Sequence, residues 1–201
     1  MTKISSYAAV TPTGTDLLIG TDTSASDATK NFTVSSIAAF VGGQMSATQV
    51  LNAASYSDQV PSGLDVALQV NFGAAQGTSS DPVMVSAAGL VTFNQTGLYL
   101  VNGMGNVERS GSGGVATLLF RPLVNGTPVG VVKGFDIGTS QSMMPYEITI
   151  PFYVSVAGTT FTFEILRDSS GVNDGGLYDH VTASSWDNVP SANLQIWKIG
   201  A

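Results

Sequence analysis

Two runs of alternating apolar residues on either side of a tight turn constrain this chain more than anything else in it. Ile148, Ile150, Phe152, Val154 and Val156 recur at every second position. Ala157-Gly158 follows, and Phe161, Phe163 and Ile165 resume the same period. Successive side chains of a strand point to opposite faces, so a period of two marks a strand with one face buried. From residue 66 onward the chain reads as strands and turns with no helical period. The expected strands are 66–72, 84–86, 90–93, 97–107, 116–124, 129–135, 146–155, 159–167 and 192–199. Asn125-Gly126, between residues 120–124 and 128–132, supplies the positive backbone angles of a tight hairpin. Eight or nine strands linked by turns predict a mainly β protein, an antiparallel jelly-roll sandwich.

Composition narrows the chemistry. Of 201 residues 43% are hydrophobic and only 10% charged, which provides a core and argues against disorder. Seven Lys and Arg stand against fourteen Asp and Glu, a net charge of −7, so broad nucleic-acid binding is not expected. Without Cys there is no disulfide, thiol nucleophile or Cys-ligated metal. The single His excludes a multi-His metal site within one chain, and no cofactor is expected. Residues 1–7 carry one cation and no following apolar run, so they do not read as a signal peptide. Residues 37–41 are far too few to cross a bilayer. The expectation is a product of a cytoplasm with no membrane insertion.

The first part of the chain reads differently. Residues 16–20 and 31–34 are short apolar stretches joined by a polar segment, as in a hairpin with a long loop. A two-turn helix is expected over 35–41, with a Ser cap before it and Gly42-Gly43 behind. A unit of this size buries too little surface to persist alone. Residues 46–65 read as a connector with a short helix, because Ser46-Ala47-Thr48-Gln49 fits a capping box and Val50, Leu51 and Ala54 form a brief apolar stripe. The expected organisation is therefore 1–45, 46–65 and 66–201.

Residues 87–101, Ala-Ala-Gly-Leu-Val-Thr-Phe-Asn-Gln-Thr-Gly-Leu-Tyr-Leu-Val, resemble the strand–turn–strand phrase of the tumour-necrosis-factor and complement globular-head superfamily. The hairpin at Leu123 to Gly126, the 148–154 strand with its Gly158 turn and the closing Leu-Gln-Ile-Trp-Lys-Ile at 194–199 follow in the same order. Separately, residues 16–22 and 29–37 resemble a short module at the start of many bacteriophage appendage proteins. Together the resemblances imply a homotrimeric, non-enzymatic virion protein. It would be a head fibre or capsid decoration protein, anchored by residues 1–45 on capsid or tail proteins and displaying 66–201. The implied anchor residues are Leu17, Leu18, Ile19, Phe32, Val34, Ile37 and Phe40. Tyr99, Phe120 and Phe163 are expected either at a threefold interface or in the chain's own core. The alternative is a tail-fibre or baseplate adhesin for host-surface glycan, with Tyr178 and Trp186 as loop aromatics that stack on sugars.

Catalysis finds little footing. His180 has Asp179 beside it, but neighbours on a strand point apart, so this is not the arrangement of a Ser–His–Asp set. Glu147 and Glu164 sit on strands that read as neighbours across the Gly158 turn, in a register that does not bring the carboxylates face to face. Asp168, Asp174 and Asp179 gather in a Gly- and Ser-rich loop whose spacing fits no EF-hand, leaving a solvated loop as the reading ahead of a cation site. Residues 110–114 are Gly-rich but lack the phosphate-loop Lys and the following helix.

Overall fold

The chain, seen in a computed structural model that describes residues 13–22, 28–38, 47–73, 81–111, 113–139, 143–181, 183 and 185–200, divides into two units, Met1–Ser46 and Ala47–Ala201. In the first, β1 (Leu17–Asp22) pairs antiparallel with β2 (Ala28–Thr33), with Leu17 opposite Thr33 and Ile19 opposite Asn31. A helical turn over 34–38 follows. Its cap is Thr33 and not a Ser: the Thr33 hydroxyl accepts from Ser36 N–H at 3.0 Å, relieving one of the unpaired donors of the first turn.

The second unit is a two-sheet sandwich. Its strands are β3 (Thr48–Ser55), β4 (Leu68–Gln69), β5 (Val83–Val85), β6 (Val91–Phe93), β7 (Gly97–Glu108), β8 (Ala116–Val124), β9 (Thr127–Pro128), β10 (Lys133–Ile137), β11 (Met143–Val154), β12 (Thr159–Arg167), β13 (Gly176–Leu177) and β14 (Ala192–Gly200). One sheet runs β11-β7-β14-β3, with β13 also paired to β7. The other runs β10-β8-β12-β6-β5, with β4 on β12 and β9 on β8. Every pairing between these strands is antiparallel. The chain crosses between the sheets after β3, β6, β7, β10, β11 and β12, which is the winding of a jelly roll.

The core fills the space between the inner faces. On β11 the even-numbered residues Tyr146, Ile148 and Val154 are buried, as the alternation requires. From β12, Phe161, Phe163 and Ile165 meet them, each at most 2% exposed. Aromatic pairs tie the two sheets together: Phe93 with Tyr99 at 4.8 Å, Phe120 with Tyr146 at 4.8 Å and Phe152 with Phe161 at 5.6 Å between ring centroids.

Several expectations need correction. The 46–65 connector helix is instead strand β3, paired with β14 from Ser55 to Thr48. Its alternation rests on Leu51, Ala53 and Ser55, which are buried, with Asn52 exposed between them. Residues beyond it are held on the sandwich too. Gln59 exchanges two backbone hydrogen bonds with Leu177, at 2.7 and 2.9 Å, and its side-chain amide accepts from Asn71 N–H and donates to Asn71 O. The strand at 66–72 shortens to β4, and Val156, expected to face inward, lies past the end of β11 at 65% exposure.

Candidate functional site

The N-terminal hairpin presents apolar side chains that its own unit does not cover. Leu17, Leu18 and Ile19 are 58%, 51% and 77% exposed, and Ile37 is 37% exposed. Phe32 and Val34 are half-buried, and Phe40 lies outside the described residues. The backbone holding them is well made: Thr13 N–H donates to the Asp16 carboxylate at 2.6 Å, and Val34 N–H donates to Asp16 O at 2.9 Å. Covering what remains exposed of each of these three aliphatic side chains would release about 1–2 kcal/mol.

Tyr99, Phe120 and Phe163 are core residues and not interface residues. They are 0%, 2% and 2% exposed, because their positions on β7, β8 and β12 belong to the inward parity of each strand. The Tyr99 hydroxyl donates to Gln95 O at 3.0 Å, and burial raises its pKa above the ordinary phenol value.

Apolar residues do reach the surface elsewhere on the sandwich, in two dissimilar places. On the outward face of the β11-β7-β14-β3 sheet, Trp197 pairs in register with Leu100, and Leu100 with Pro151. Leu100 and Trp197 are half-buried and Pro151 is exposed, while Tyr153, opposite Leu98, is 64% exposed. The second place is the open side of the sandwich between β11 and the β8–β10 segment. A groove of about 460 Å³ runs there between Ile150, Phe152, Pro122 and Val124, and residues Val129 and Val131 form its lip. Val131 and Val132 are 76% and 56% exposed. Lys133 stands opposite Phe120 on the edge strand β10, so its cationic side chain shares the inward parity, a placement that discourages strand pairing at that edge.

The acidic groups do not converge. β11 and β12 lie in different sheets, so Glu147 and Glu164 are not strand neighbours as expected. Glu147 shares the outward row of Met104 and Asn193, where its carboxylate accepts from the Asn102 amide at 3.0 Å. Glu164, on the other sheet, is paired with Arg121 at 2.7 Å. Asp174 accepts from Ser110 N–H and Oγ, Gly111 N–H and Gly175 N–H, while Asp168 accepts from Ser170. Asp179 lies against Asp58, and the hydrogen bond to that carboxyl, desolvation and the like charge raise its pKa. Among the described residues no group of three or more acidic, His or Cys side chains is placed to hold a metal ion. His180 closes a backbone pair with Val189, 2.9 Å in each direction, at the base of the loop that carries Trp186. Trp186 is 83% exposed, whereas Tyr178 is half-buried and its N–H donates to Asn106 O at 3.2 Å. Among the described residues no helix is long and apolar enough to cross a membrane.

No protein-family model matches the sequence, and no curated protein matches it. Among solved structures, the chain is similar to the globular domain of zebrafish complement 1qA protein, with a TM-score of 0.40 and 14% identity over 76% of this chain and 96% of that one. It is also similar to PRD1 vertex protein P5, with a TM-score of 0.43 and 13% identity over 95% of this chain and 86% of that one.

Proposed function

We propose that this chain is a non-enzymatic structural protein of a bacteriophage particle, a homotrimeric head fibre or capsid decoration protein. In this reading the unit before residue 47 docks on the shell and the sandwich is displayed. The observation that carries it is the contrast between the two units. The sandwich encloses a core of Phe72, Phe93, Tyr99, Phe120, Phe161 and Phe163, each at most 2% exposed, whereas the small hairpin unit leaves Leu17, Leu18 and Ile19 more than half exposed, as a docking element would.

The two apolar surfaces of the sandwich support self-association. A sheet face and an edge groove are unlike surfaces, and contact between unlike surfaces closes into a ring when the rotation permits. Three copies then hold three hairpins together, so that a weak attachment per chain becomes a firm one.

Labelling intact particles with an antibody against the sandwich tests this reading. Label distributed over the head is expected, with occupancy lost when residues 1–46 are deleted and the sandwich remains folded. Full occupancy by the truncated chain would overturn it. A tail-fibre or baseplate adhesin is the second reading, favoured by the exposed Trp186, and label confined to the tail would select it.

A further inference from the structure

The two unlike surfaces of the sandwich carry charges of opposite sign that the chain itself does not neutralise. Every residue lining the edge groove is apolar or uncharged except Lys133, which is exposed. Among the described residues its ammonium takes part in no ion pair. On the sheet face Glu147 is exposed and likewise forms no ion pair with a described residue; its carboxylate accepts from the neutral Asn102 amide at 3.0 Å. Glu147 borders a recess of about 540 Å³ walled by Met104, Pro145, Val189 and Pro190, and no Lys, Arg or His lines it.

The spacing of the two surfaces agrees. Along the groove, β8 runs from Phe120, opposite Lys133, to Val124, which lies four residues on. On the sheet face, the row Pro151, Leu100 and Trp197 is followed four residues along β7 by the row Glu147, Met104 and Asn193. At ~3.4 Å per residue both intervals are about 14 Å. An apolar row seated over the Val124 and Phe152 end of the groove therefore brings Glu147 of that face level with Lys133.

We infer that Lys133 of one copy enters the recess beside Glu147 of the next, and that this pair fixes the direction in which the sheet face lies along the groove. The inference rests on the trimeric reading above and deepens it. Apolar contact is non-directional and alone would let the face lie either way. Reversed, the face would press its Leu100 and Trp197 row onto Lys133, and a charge desolvated without a partner is strongly disfavoured. In the inferred direction the methylene stem of Lys133 lies along Met104 and the prolines while its head meets the carboxylate. Complementary charge of this kind sets the register of an interface more than its strength.

Charge reversal, read by light scattering over a dilution series of the full chain, tests the inference. Lys133→Glu and Glu147→Lys each set like charges together and are expected to weaken the trimer at least tenfold. The double reversal is expected to return it to within about threefold of the parent. Circular dichroism of each variant checks the fold. If a reversal unfolds, Lys133→Met and Glu147→Gln take its place, the latter keeping an acceptor for Asn102, and their combined loss is expected to fall short of the sum of the two. A trimeric parent that tolerates either single reversal, or that the double reversal fails to rescue, overturns the inference and leaves the trimer standing. Neutral variants whose losses simply add do the same. A parent at the mass of one chain overturns the trimeric reading and this inference with it.

Discussion

Arg109 and Asp174 clasp one loop from opposite ends. The guanidinium donates to Gly111 O, Gly114 O and Gly113 O at 3.1, 2.5 and 2.8 Å, while the Asp174 carboxylate takes the N–H groups of Ser110 and Gly111 at 2.8 and 2.6 Å. The two charged groups approach to 3.5 Å with side chains 3% and 11% exposed. A buried charge is tolerated when it is paired and hydrogen-bonded, and here each nitrogen of the guanidinium donates a bond while the carboxylate accepts four. The Gly-rich stretch at 110–114 is therefore a tied loop.

A pH dependence follows. Burial acts to raise the Asp174 pKa, but the hydrogen bonds from Ser110, Gly111 and Gly175 outweigh it and hold the carboxyl below its ordinary value of 3.8. A carboxyl whose folded pKa is depressed contributes stability above its unfolded pKa and loses that contribution as pH falls through the folded one. Asp174→Asn is expected to lower stability by about 2 kcal/mol at neutral pH. The gap to the parent should narrow steadily below about pH 4. Urea melts of both proteins at neutral and acid pH check this, and a gap independent of pH would exclude the charge as its source.

Self-association is read out by mass. Light scattering on the full chain is expected to give three times the 20.7 kDa of one copy. Trp197→Glu on the sheet face and Val131→Glu at the groove lip each place a charge on one of the two unlike surfaces, so either alone should release single chains. A parent protein at the mass of one chain would exclude the trimer. Release by only one of the substitutions would exclude the face-to-edge contact.

The hairpin at Asn125-Gly126 is held twice. Both residues have left-handed φ angles, 48° and 75°, and Asn125 Oδ1 also accepts from Thr160 N–H at 2.9 Å. Asn125→Gly keeps the backbone freedom and loses only the side-chain bond, an expected cost of about 1 kcal/mol. Asn125→Ala loses both and should cost about 2 kcal/mol. Equal costs in denaturant melts would show that the Thr160 contact alone matters.

What the residues disclosed in advance depended on contrast within a strand. Ile148, Phe152 and Val154 alternate with Thr149, Pro151 and Tyr153, so the inner face of β11 was legible, and β8 and β12 begin and end where their turn residues place them. β3 was not legible because Ala53 and Ser55 fill its inward positions with small side chains, while Ser46 to Gln49 imitate a helix start. Its pairing with β14 joins residues some 140 positions apart, which no local pattern records. The same holds for Glu147 and Glu164: a turn at Gly158 looks identical whether it returns within a sheet or crosses to the other. Lys133 and Glu147 look like ordinary surface charges until the register of β10 on β8 and of β11 on β7 sets one at the groove and the other beside the recess.

Gly105 has no room for a side chain. A Cβ there would strike the carbonyl oxygen of Ser191, a backbone atom, and meet Tyr146 Cε1 at 2.8 Å. Neither neighbour can retreat, since Tyr146 packs against Phe120 at 4.8 Å between ring centroids and Ser191 N–H is bonded to Ser55 O at 2.9 Å. Gly105→Ala is expected to destabilise by about 3 kcal/mol, the upper end for overpacking. A Cβ at Gly113 would meet nothing within 4 Å, so Gly113→Ala should change stability by no more than about 0.5 kcal/mol. Thermal melts of the two variants side by side measure the difference. If both prove neutral, β7 and the start of β14 do not approach closely enough to exclude a side chain at residue 105.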